Sequence, residues 1–263
     1  MFATKFLQDQ VAIITGGATG IGFGIASKYG ELGAKIVIAS RKQEQLDKAV
    51  EELTSKGIEA VAIATDVRDP QQVDQLMAKT VERFGHIDIL VNNAAGNFVC
   101  LTENLSINGW NSVINIVLNG TFYCSRAAGL QMIKQKRGKI LNIVATYAWT
   151  GGPGTIHSAC AKAGVITMTQ TLAVEWAPYN IRVNALAPGP IENTGAAKLW
   201  AFPGLKEKLE KDVPLQRFGS IEEMANICAF LVSDMADYIT GDVIVADGGA
   251  WLNKGTFHFE GVS

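Results

Sequence analysis

The sequence predicts a Rossmann-like α/β fold, in which one doubly wound parallel sheet forms a single domain of residues 1–263. Short apolar runs rich in Val and Ile alternate with amphipathic stretches of helical period along nearly the whole chain. A glycine-rich turn joins the first apolar run to the first of these stretches. Neither a linker-like change of composition nor an internal repeat interrupts the pattern.

The predicted strands are the apolar runs, because a parallel sheet covered on both faces buries nearly continuous hydrophobic segments. They are Val11–Thr15, Lys35–Ala39, Ala60–Thr65, Ile87–Asn92, Lys139–Val144, Arg182–Ala185 and Val243–Ala246. The predicted helices place apolar residues three or four apart, which gives one face for packing on the sheet. They are Ile21–Leu32, Gln43–Ser55, Gln71–Phe84, Gly109–Lys134, His157–Trp176 and Ile221–Ser233. Their alternation with the strands predicts βαβ units and therefore a parallel sheet.

Residues 187–218 depart from this alternation. The stretch contains Pro188, Pro190, Pro203 and Pro214 around a segment with several Lys and Glu residues. Ligands of doubly wound sheets bind beyond the carboxyl ends of the strands. We therefore expect residues 187–218 to form an excursion that covers the substrate there.

Composition argues against several classes of function. Lys and Arg total 23 against 25 Asp and Glu, so a net charge of -2 provides no basic field for nucleic acid. The four cysteines form no CxxC pair and the three histidines are unclustered, which argues against a metal centre or a disulfide framework and favours a reducing cytoplasm. Neither a signal peptide nor a long apolar span is visible, so we expect no membrane partner.

A glycine-rich turn follows the first predicted strand directly, and helical periodicity begins at Ile21. Glycines permit close backbone approach, and the free N–H groups of a helix N-terminus bind anions. This order of strand, turn and helix predicts a phosphate cradle for a dinucleotide, with a tight turn that binds nothing as the alternative. The predicted cofactor contacts are Gly16, Gly17, Thr19, Gly20, Ile21 and Gly22.

The end of the second predicted strand indicates which cofactor is bound. An NAD site usually has an acid here for the ribose 2′-hydroxyl, whereas this chain has Ser40, Arg41 and Lys42. Because a guanidinium binds a 2′-phosphate through two hydrogen bonds, we expect NADP(H), the alternative being a solvated basic start of a helix. Further candidates at the next two strand ends, for the adenine edge and the nicotinamide ribose, are Asp66, Val67, Asn93, Ala94 and Ala95.

Four motifs occur in an order that resembles the short-chain dehydrogenase/reductase family over nearly the whole chain. They are Thr15–Gly22, Asn92–Gly96, Ser158–Lys162 and Pro188–Gly189. The resemblance implies cofactor contacts from Lys162, Pro188, Gly189 and Ile191. It also implies a catalytic Tyr four residues before Lys162 and a Ser seventeen residues before it, where this chain has Ser158 and Ala145. The usual carbonyl-reducing triad is therefore incomplete.

A tyrosine does occur fifteen residues before Lys162, at Tyr147. Together with Asn97-Phe98 and the runs 117–121, 146–154 and 187–191, this displaced phenol looks like the NADPH-dependent 2,4-dienoyl-CoA reductases within the family. That resemblance implies an acyl-CoA partner, a homotetramer, and reduction of a 2,4-dienoyl-CoA to a 3-enoyl-CoA in unsaturated fatty acid breakdown.

The expected catalytic residues follow from where charge develops in that reaction. When hydride reaches the distant δ carbon, negative charge builds on the thioester oxygen, to which Tyr147 and Asn97 would donate hydrogen bonds. Lys162 would hold the nicotinamide ribose, and Asn119 is an active-site residue by resemblance, with a structural role in its helix equally open. The expected substrate contacts are Asn97, Phe98, Tyr147, Ser158 and, for the phosphates of coenzyme A, Lys198.

Other interpretations are open at this stage. Tyr147 could be a loop aromatic, Ser158 a helix start and Lys198 part of a solvated face. An ordinary reductase of a ketone, a sugar or a 3-oxoacyl thioester would use Tyr147 as a makeshift proton donor. A cofactor-binding scaffold without catalysis is the third possibility, because the usual tyrosine position holds Ser158.

Overall fold

The computed structural model describes residues 5–192 and 204–253, and within them seven strands form one parallel sheet. The strands are β1 (Val11–Thr15), β2 (Lys35–Ser40), β3 (Ala60–Ala64), β4 (Ile89–Asn92), β5 (Gly138–Ile143), β6 (Ile181–Pro188) and β7 (Val243–Ala246). Their order across the sheet is β3-β2-β1-β4-β5-β6-β7, and every neighbouring pair is parallel. The predicted fold class is confirmed.

Helices cover both faces of the sheet. They are α1 (Gly20–Glu31), α2 (Gln43–Ser55), α3 (Pro70–Phe84), α4 (Ile107–Ile114), α5 (Gly120–Gln135), α6 (Tyr147–Thr150), α7 (Ile156–Trp176), α8 (Leu205–Asp212) and α9 (Ile221–Leu231). In β1, Ala12 and Ile14 pack with α1, α2 and α9, whereas Val11 and Ile13 pack with α3, α5 and α7. Burial on both faces explains why the strands have continuous apolar sequences.

The strand order reverses at β1, because β2 pairs with one side of this strand and β4 with the other. The loops that follow β1 and β4 therefore diverge and open a crevice at the carboxyl ends of the strands. Thr15 ties the two loops together. Its Oγ1 donates to the Val91 carbonyl at 3.2 Å and accepts from the backbone N–H groups of Asn93 at 3.0 Å and Ala94 at 3.1 Å.

The predicted helix over Gly109–Lys134 is interrupted in the structure, where a π-helical turn at Asn115–Asn119 separates α4 from α5. The expectation of one continuous helix is therefore wrong. Just after this turn, Gly120 lies so close to Val67 that an added Cβ would come 2.8 Å from a Val67 methyl. Hydrophobic periodicity does not report a single inserted residue, and such turns are frequent at functional sites.

The excursion leaves the sheet beyond Pro188, and its two ends meet at Ile191 and Gly219. An isolated parallel bridge pairs Ile191 with Gly219, and the N–H of Glu192 donates to the Gly219 carbonyl at 3.0 Å. Helix α8 lies in the described part of this excursion, and neither α8 nor α6 is predicted by the sequence. Within residues 5–192 and 204–253, no helix is both long and apolar enough to cross a membrane.

Candidate active site

A cavity of about 740 Å³ opens at the carboxyl ends of the strands, around the crevice between β1 and β4. The predicted cofactor residues that line it are Gly16, Thr19, Gly20, Ile21, Ser40, Arg41, Asp66, Val67, Asn93, Ala94, Ala95, Lys162, Pro188, Gly189 and Ile191. Of the predicted substrate residues, Asn97, Tyr147 and Ser158 line the same cavity. Residues 143–146, after β5, also line it. These residues were not predicted to line a site, although they lie at the end of a strand at this edge of the sheet.

The glycine turn is shaped by close backbone packing. Gly16 and Gly20 have φ of +64° and +57°, which L side chains rarely adopt. An added Cβ at Gly22 would lie 2.4 Å from the Gly16 carbonyl oxygen, and one at Gly17 would lie 2.8 Å from the Ile14 carbonyl oxygen. Gly17 and Gly22 do not line the cavity, because their hydrogens face the closely packed Ile14 and Ile38 or Gly16 and Asn93, which lets the turn close. Their predicted contact with the cofactor stays a prediction.

The N-terminus of α1 faces the cavity through Thr19, Gly20 and Ile21. No described side chain caps this helix, since Thr19 at the N-cap makes no such hydrogen bond. The first backbone N–H groups of a helix carry a partial positive charge and need partners. The turn after β1 therefore provides an uncapped anion site bordered by glycines, which fits the pyrophosphate of a dinucleotide.

The ends of β2 and β3 place two charged groups at the far side of the cavity. Arg41 is exposed at its edge, and Asp66 accepts hydrogen bonds from Arg68 Nε at 2.9 and 3.0 Å. The hydrogen bond from Arg68, with a smaller contribution from the charge of Arg41, lowers the pKa of Asp66. Arg68, which holds Asp66 in this way, was not among the predicted site residues. Lys42, by contrast, does not line the cavity and instead occupies the N-cap position of α2.

Lys162 lies on α7 and is 7% exposed. Its Nζ donates to the carbonyl of Ile143, at the end of β5. Burial lowers the pKa of Lys162 to about 8, because removing an ammonium from water disfavours the charged form. At this pKa the ammonium is still mostly charged at neutral pH, and its remaining N–H donors could bind the hydroxyls of a ribose in the cavity.

The displaced phenol lies in the cavity wall. Tyr147 begins α6 immediately after the β5 loop, and its hydroxyl is 3.0 Å from the Oγ of Ser158 on α7. Burial raises the pKa of Tyr147, and the hydrogen bond to Ser158 offsets part of that rise. The phenol is therefore protonated at neutral pH and can donate a hydrogen bond.

Asn97 lies in the loop after β4 and lines the same cavity as Tyr147. Its Oδ1 accepts the backbone N–H of Phe98 at 2.9 Å. This contact directs the oxygen to the backbone and leaves the amide NH₂ without a hydrogen-bond partner among the described residues. The amide NH₂ of this cavity-lining residue is therefore available as a hydrogen-bond donor.

Several predicted site residues lie elsewhere. Phe98 does not line the cavity and instead packs edge-on against His157, with ring centroids 4.5 Å apart. Asn119 also lies outside it, because its amide donates to Asn115 Oδ1 at 2.8 Å within the π-helical turn. Lys198 falls outside the described residues. The fully buried His157 was not predicted as a site residue, and its Nδ1 accepts the N–H of Ser158 at 2.8 Å.

Comparison with known proteins gives a consistent picture. A family model described as enoyl-(acyl carrier protein) reductase matches residues 16–250. A probable 2,4-dienoyl-CoA reductase [(2E)-enoyl-CoA-producing] of Bacillus subtilis (strain 168) is 48% identical over 95% of this chain and 100% of its own. A peroxisomal 2,4-dienoyl-CoA reductase [(3E)-enoyl-CoA-producing] of Danio rerio is 43% identical over 97% of this chain and 85% of its own.

Solved structures share the fold at high similarity. A short chain dehydrogenase from Bacillus anthracis str. 'Ames Ancestor' has a TM-score of 0.87 at 47% identity, covering 96% of this chain and 100% of that one. An actinorhodin polyketide ketoreductase with NADPH has a TM-score of 0.88 at 29% identity, covering 92% and 97%. These similarities agree with the family that the motifs indicate.

Proposed function

Because the chain belongs to the short-chain dehydrogenase/reductase family and is an oxidoreductase, we propose that it uses NADPH to reduce a 2,4-dienoyl-CoA to a 3-enoyl-CoA. The observation that carries the proposal is the contact between Tyr147 and Ser158 on the cavity wall. It brings a phenol to the position where the family's carbonyl reductases have their tyrosine. The two relatives named 2,4-dienoyl-CoA reductases support this substrate.

The cavity suits a phosphorylated nicotinamide dinucleotide. The glycine turn and the uncapped N-terminus of α1 fit the pyrophosphate, and Arg41 at the cavity edge fits a 2′-phosphate. Positions 40–42 hold Ser, Arg and Lys, whereas an NAD site would have an acid there. Bound NADPH supplies the hydride, and the remaining requirements of the reaction fall on side chains of this chain.

The first requirement is stabilisation of the thioester oxygen. Hydride addition at C5 of a dienoyl thioester sends the electron pair through the conjugated system, so that the negative charge rests mainly on that oxygen. The protonated hydroxyl of Tyr147 and the amide NH₂ of Asn97 provide two donors that are positioned before the charge appears. Each preorganised donor of this kind contributes about 2.7–4 kcal/mol to the transition state.

The second requirement is a cation that holds the ribose. Lys162 is buried, lines the same cavity as Tyr147 and has a pKa of about 8, which leaves it mostly charged at neutral pH. A fixed ammonium favours negative charge on nearby oxygens. Lys162 therefore orients the cofactor and assists Tyr147 electrostatically.

The position of the product double bond depends on where the dienolate is protonated. Protonation at C2, the α carbon, leaves a 3-enoyl thioester, whereas protonation at C4 leaves a 2-enoyl thioester. The names of the relatives include both outcomes. We propose protonation at C2 by water, because the phenol of Tyr147 is committed to the oxygen.

Isotopic labelling tests this function. Turnover of 2,4-hexadienoyl-CoA with NADPH deuterated at the transferred position should place deuterium on C5. Turnover in D₂O with unlabelled NADPH should place it on C2, with the double bond between C3 and C4. Solvent deuterium on C4 would contradict the 3-enoyl product, and failure to oxidise NADPH would contradict the dienoyl-CoA substrate and favour a scaffold.

The remaining expectations concern the setting of the enzyme. We propose that residues 187–218 cover the acyl-CoA, with Lys198 near its phosphates, and that the chain acts in the cytoplasm in unsaturated fatty acid breakdown. We also propose assembly into a homotetramer, as the family resemblance implies, with the half-exposed Phe122 and Leu130 on α5 as candidate interface residues. Light scattering should give four times the chain mass of 28.2 kDa, and a monomer mass would contradict it.

A further inference from the structure

The phenol at Tyr147 is carried by a helix that is too short to hold its own position. Helix α6 has four residues, and the next residue, Gly151, has a φ of +68°. No hydrogen bond from a described side chain caps the first turn of α6. A single helical turn is unstable on its own, because it fixes several backbone dihedral angles for one hydrogen bond. The position of the Tyr147 hydroxyl therefore depends on the contacts that α6 makes with other elements.

Three side chains of α6 make such contacts. Tyr147 reaches Ser158 at 3.0 Å, and Ala148 packs on the small apolar cluster beneath α7. Trp149 packs on Trp251, with ring centroids 5.4 Å apart and an angle of 32° between the ring planes. The third contact differs from the first two, because it ties α6 to the C-terminal part of the described chain.

Trp251 belongs to a turn of residues 247–253, which we call the C-terminal turn. Asp247, 8% exposed, accepts the backbone N–H groups of Gly249 at 2.9 Å and Trp251 at 2.7 Å. Asn253 Nδ2 donates to the carbonyl of Asp212 at the end of α8. The backbone of Trp251 is thus held by bonds that do not involve α6.

The C-terminal turn is also packed against the cofactor side of the cavity. An added Cβ at Gly189 would lie 2.5 Å from the Cβ of Asp247. Gly189 itself lines the cavity at the end of β6. The turn that presents Trp251 is therefore anchored to the strand end at which the cofactor is expected.

We propose that Trp251 is a positioning residue. It acts through Trp149 to hold α6, and with it the Tyr147 hydroxyl, in a fixed position relative to the carboxyl end of β6, where the cofactor is expected. The inference rests on the proposed function, since it takes Tyr147 as the donor to the substrate. Aromatic pairs of this kind stabilise an arrangement beyond the area they bury. Catalysis is sensitive to displacements on the scale of a bond length, so loss of this contact affects turnover more than binding.

The test compares Trp251→Ala with Trp251→Phe and with Leu252→Ala, which alters an exposed neighbour in the same turn. Trp251→Ala should lower kcat for 2,4-hexadienoyl-CoA about two- to twelvefold, the range for one aromatic pair. It should speed amide exchange across residues 148–151 by a similar factor, while the Kd for NADPH stays within about twofold. Trp251→Phe should restore most of both losses, and Leu252→Ala should behave as the unaltered protein.

Unchanged kcat, or unchanged exchange at residues 148–151 in Trp251→Ala, would overturn the positioning role. If Trp251→Ala does not fold, Trp149→Ala replaces it, because the Trp149 ring is 43% exposed and is the other half of the pair. The exchange measurement needs no substrate. It therefore decides whether Trp251 holds α6 even if Tyr147→Phe shows that the phenol is not the donor, a result that would instead overturn the proposed function.

Discussion

The glycine turn after β1 and helix α6 after β5 lie at the same edge of the sheet, yet they present their functional groups in different ways. The glycine turn offers backbone N–H groups, and its shape is fixed by close backbone packing at Gly17 and Gly22. Helix α6 offers a side chain, the Tyr147 hydroxyl, and its place is fixed by contacts from α7 and the C-terminal turn.

This difference separates two kinds of change. A backbone site depends less on the identity of most surrounding side chains, so we expect substitutions at the glycines of the turn to be the least tolerated changes around it. A side-chain site on a short helix can move to a new sequence position if another element places an equivalent group nearby. The family's usual tyrosine position holds Ser158, and Tyr147 lies 3.0 Å from it.

Tyr147→Phe removes the hydroxyl that α6 presents to the cavity, and it should have the largest effect on turnover. Loss of one preorganised donor costs about 2.7–4 kcal/mol, so turnover should fall by roughly a hundred- to a thousandfold. The Kd for NADPH should be nearly unchanged, because the glycine turn after β1 is not altered. Turnover at saturating NADPH and a fluorescence titration of the cofactor measure the two effects.

The matched control is Tyr238→Phe, which removes a hydroxyl from a fully exposed ring far along the chain. It should leave turnover and NADPH binding as they are. Near-normal turnover in Tyr147→Phe would show that Tyr147 is only a loop aromatic.

Lys162 lines the same cavity as the glycine turn and Tyr147, and its ionisation should make the stability of the protein depend on pH. Its pKa is about 8 in the folded protein against 10.5 as a model group, so the unfolded chain binds more protons between these values. The contribution of Lys162 to stability is therefore complete above about pH 10.5 and is lost as the pH falls through about 8. The full difference is at most about 3 kcal/mol.

Urea unfolding of the cofactor-free protein and of Lys162→Met checks this expectation. The difference in the free energy of unfolding should shift in favour of the unaltered protein as the pH rises from 7 to 10.5. Groups other than Lys162 titrate in both proteins and cancel in the difference. A difference that is constant with pH would mean that Lys162 is well solvated.

Arg41→Asp tests a side-chain contribution to cofactor binding next to the glycine turn. Loss of a charge-assisted contact to a 2′-phosphate costs about 1.5–3 kcal/mol, so the Kd for NADPH should rise roughly ten- to a hundredfold. The preference for NADPH over NADH should weaken or invert. Lys42→Asp makes the same change of charge at a side chain outside the cavity and should have a much smaller effect. Equal effects of the two variants would contradict this placement.

Ser158→Ala should have the smallest effect, because Ser158 supports the phenol and does not replace it. Loss of one neutral hydrogen bond costs about 0.5–1.5 kcal/mol, or roughly a two- to tenfold fall in turnover. The pKa of Tyr147 should rise further, since this hydrogen bond lowers it in the intact protein. An absorbance titration of tyrosine ionisation measures the shift. If Ser158→Ala abolished turnover, Ser158 itself would be the essential group.

The same contrast explains what the sequence could predict. The glycine turn could be placed because strand, turn and helix are consecutive, and parallel strands bring their ends to one edge. The contact between Tyr147 and Ser158 could not be predicted, although both residues were expected in the site. Helix α6 is too short to show a period, and the contact depends on how α7 packs beside it. Phe98 and Asn119 do not line the cavity, and their site roles stay predictions. The direction of a loop side chain, and the shift of the helical period by a π-helical turn, could not be predicted from the sequence.

The direct test of dienoyl-CoA reduction is a steady-state comparison of kcat/KM for 2,4-hexadienoyl-CoA, crotonyl-CoA and a small ketone, each with NADPH. Donors at an oxygen remote from the carbon that accepts hydride should favour the dienoyl thioester by at least about a hundredfold over either competitor. A ketone turned over as fast as the dienoyl thioester would contradict the substrate assignment and identify the protein as an ordinary carbonyl reductase with a displaced tyrosine.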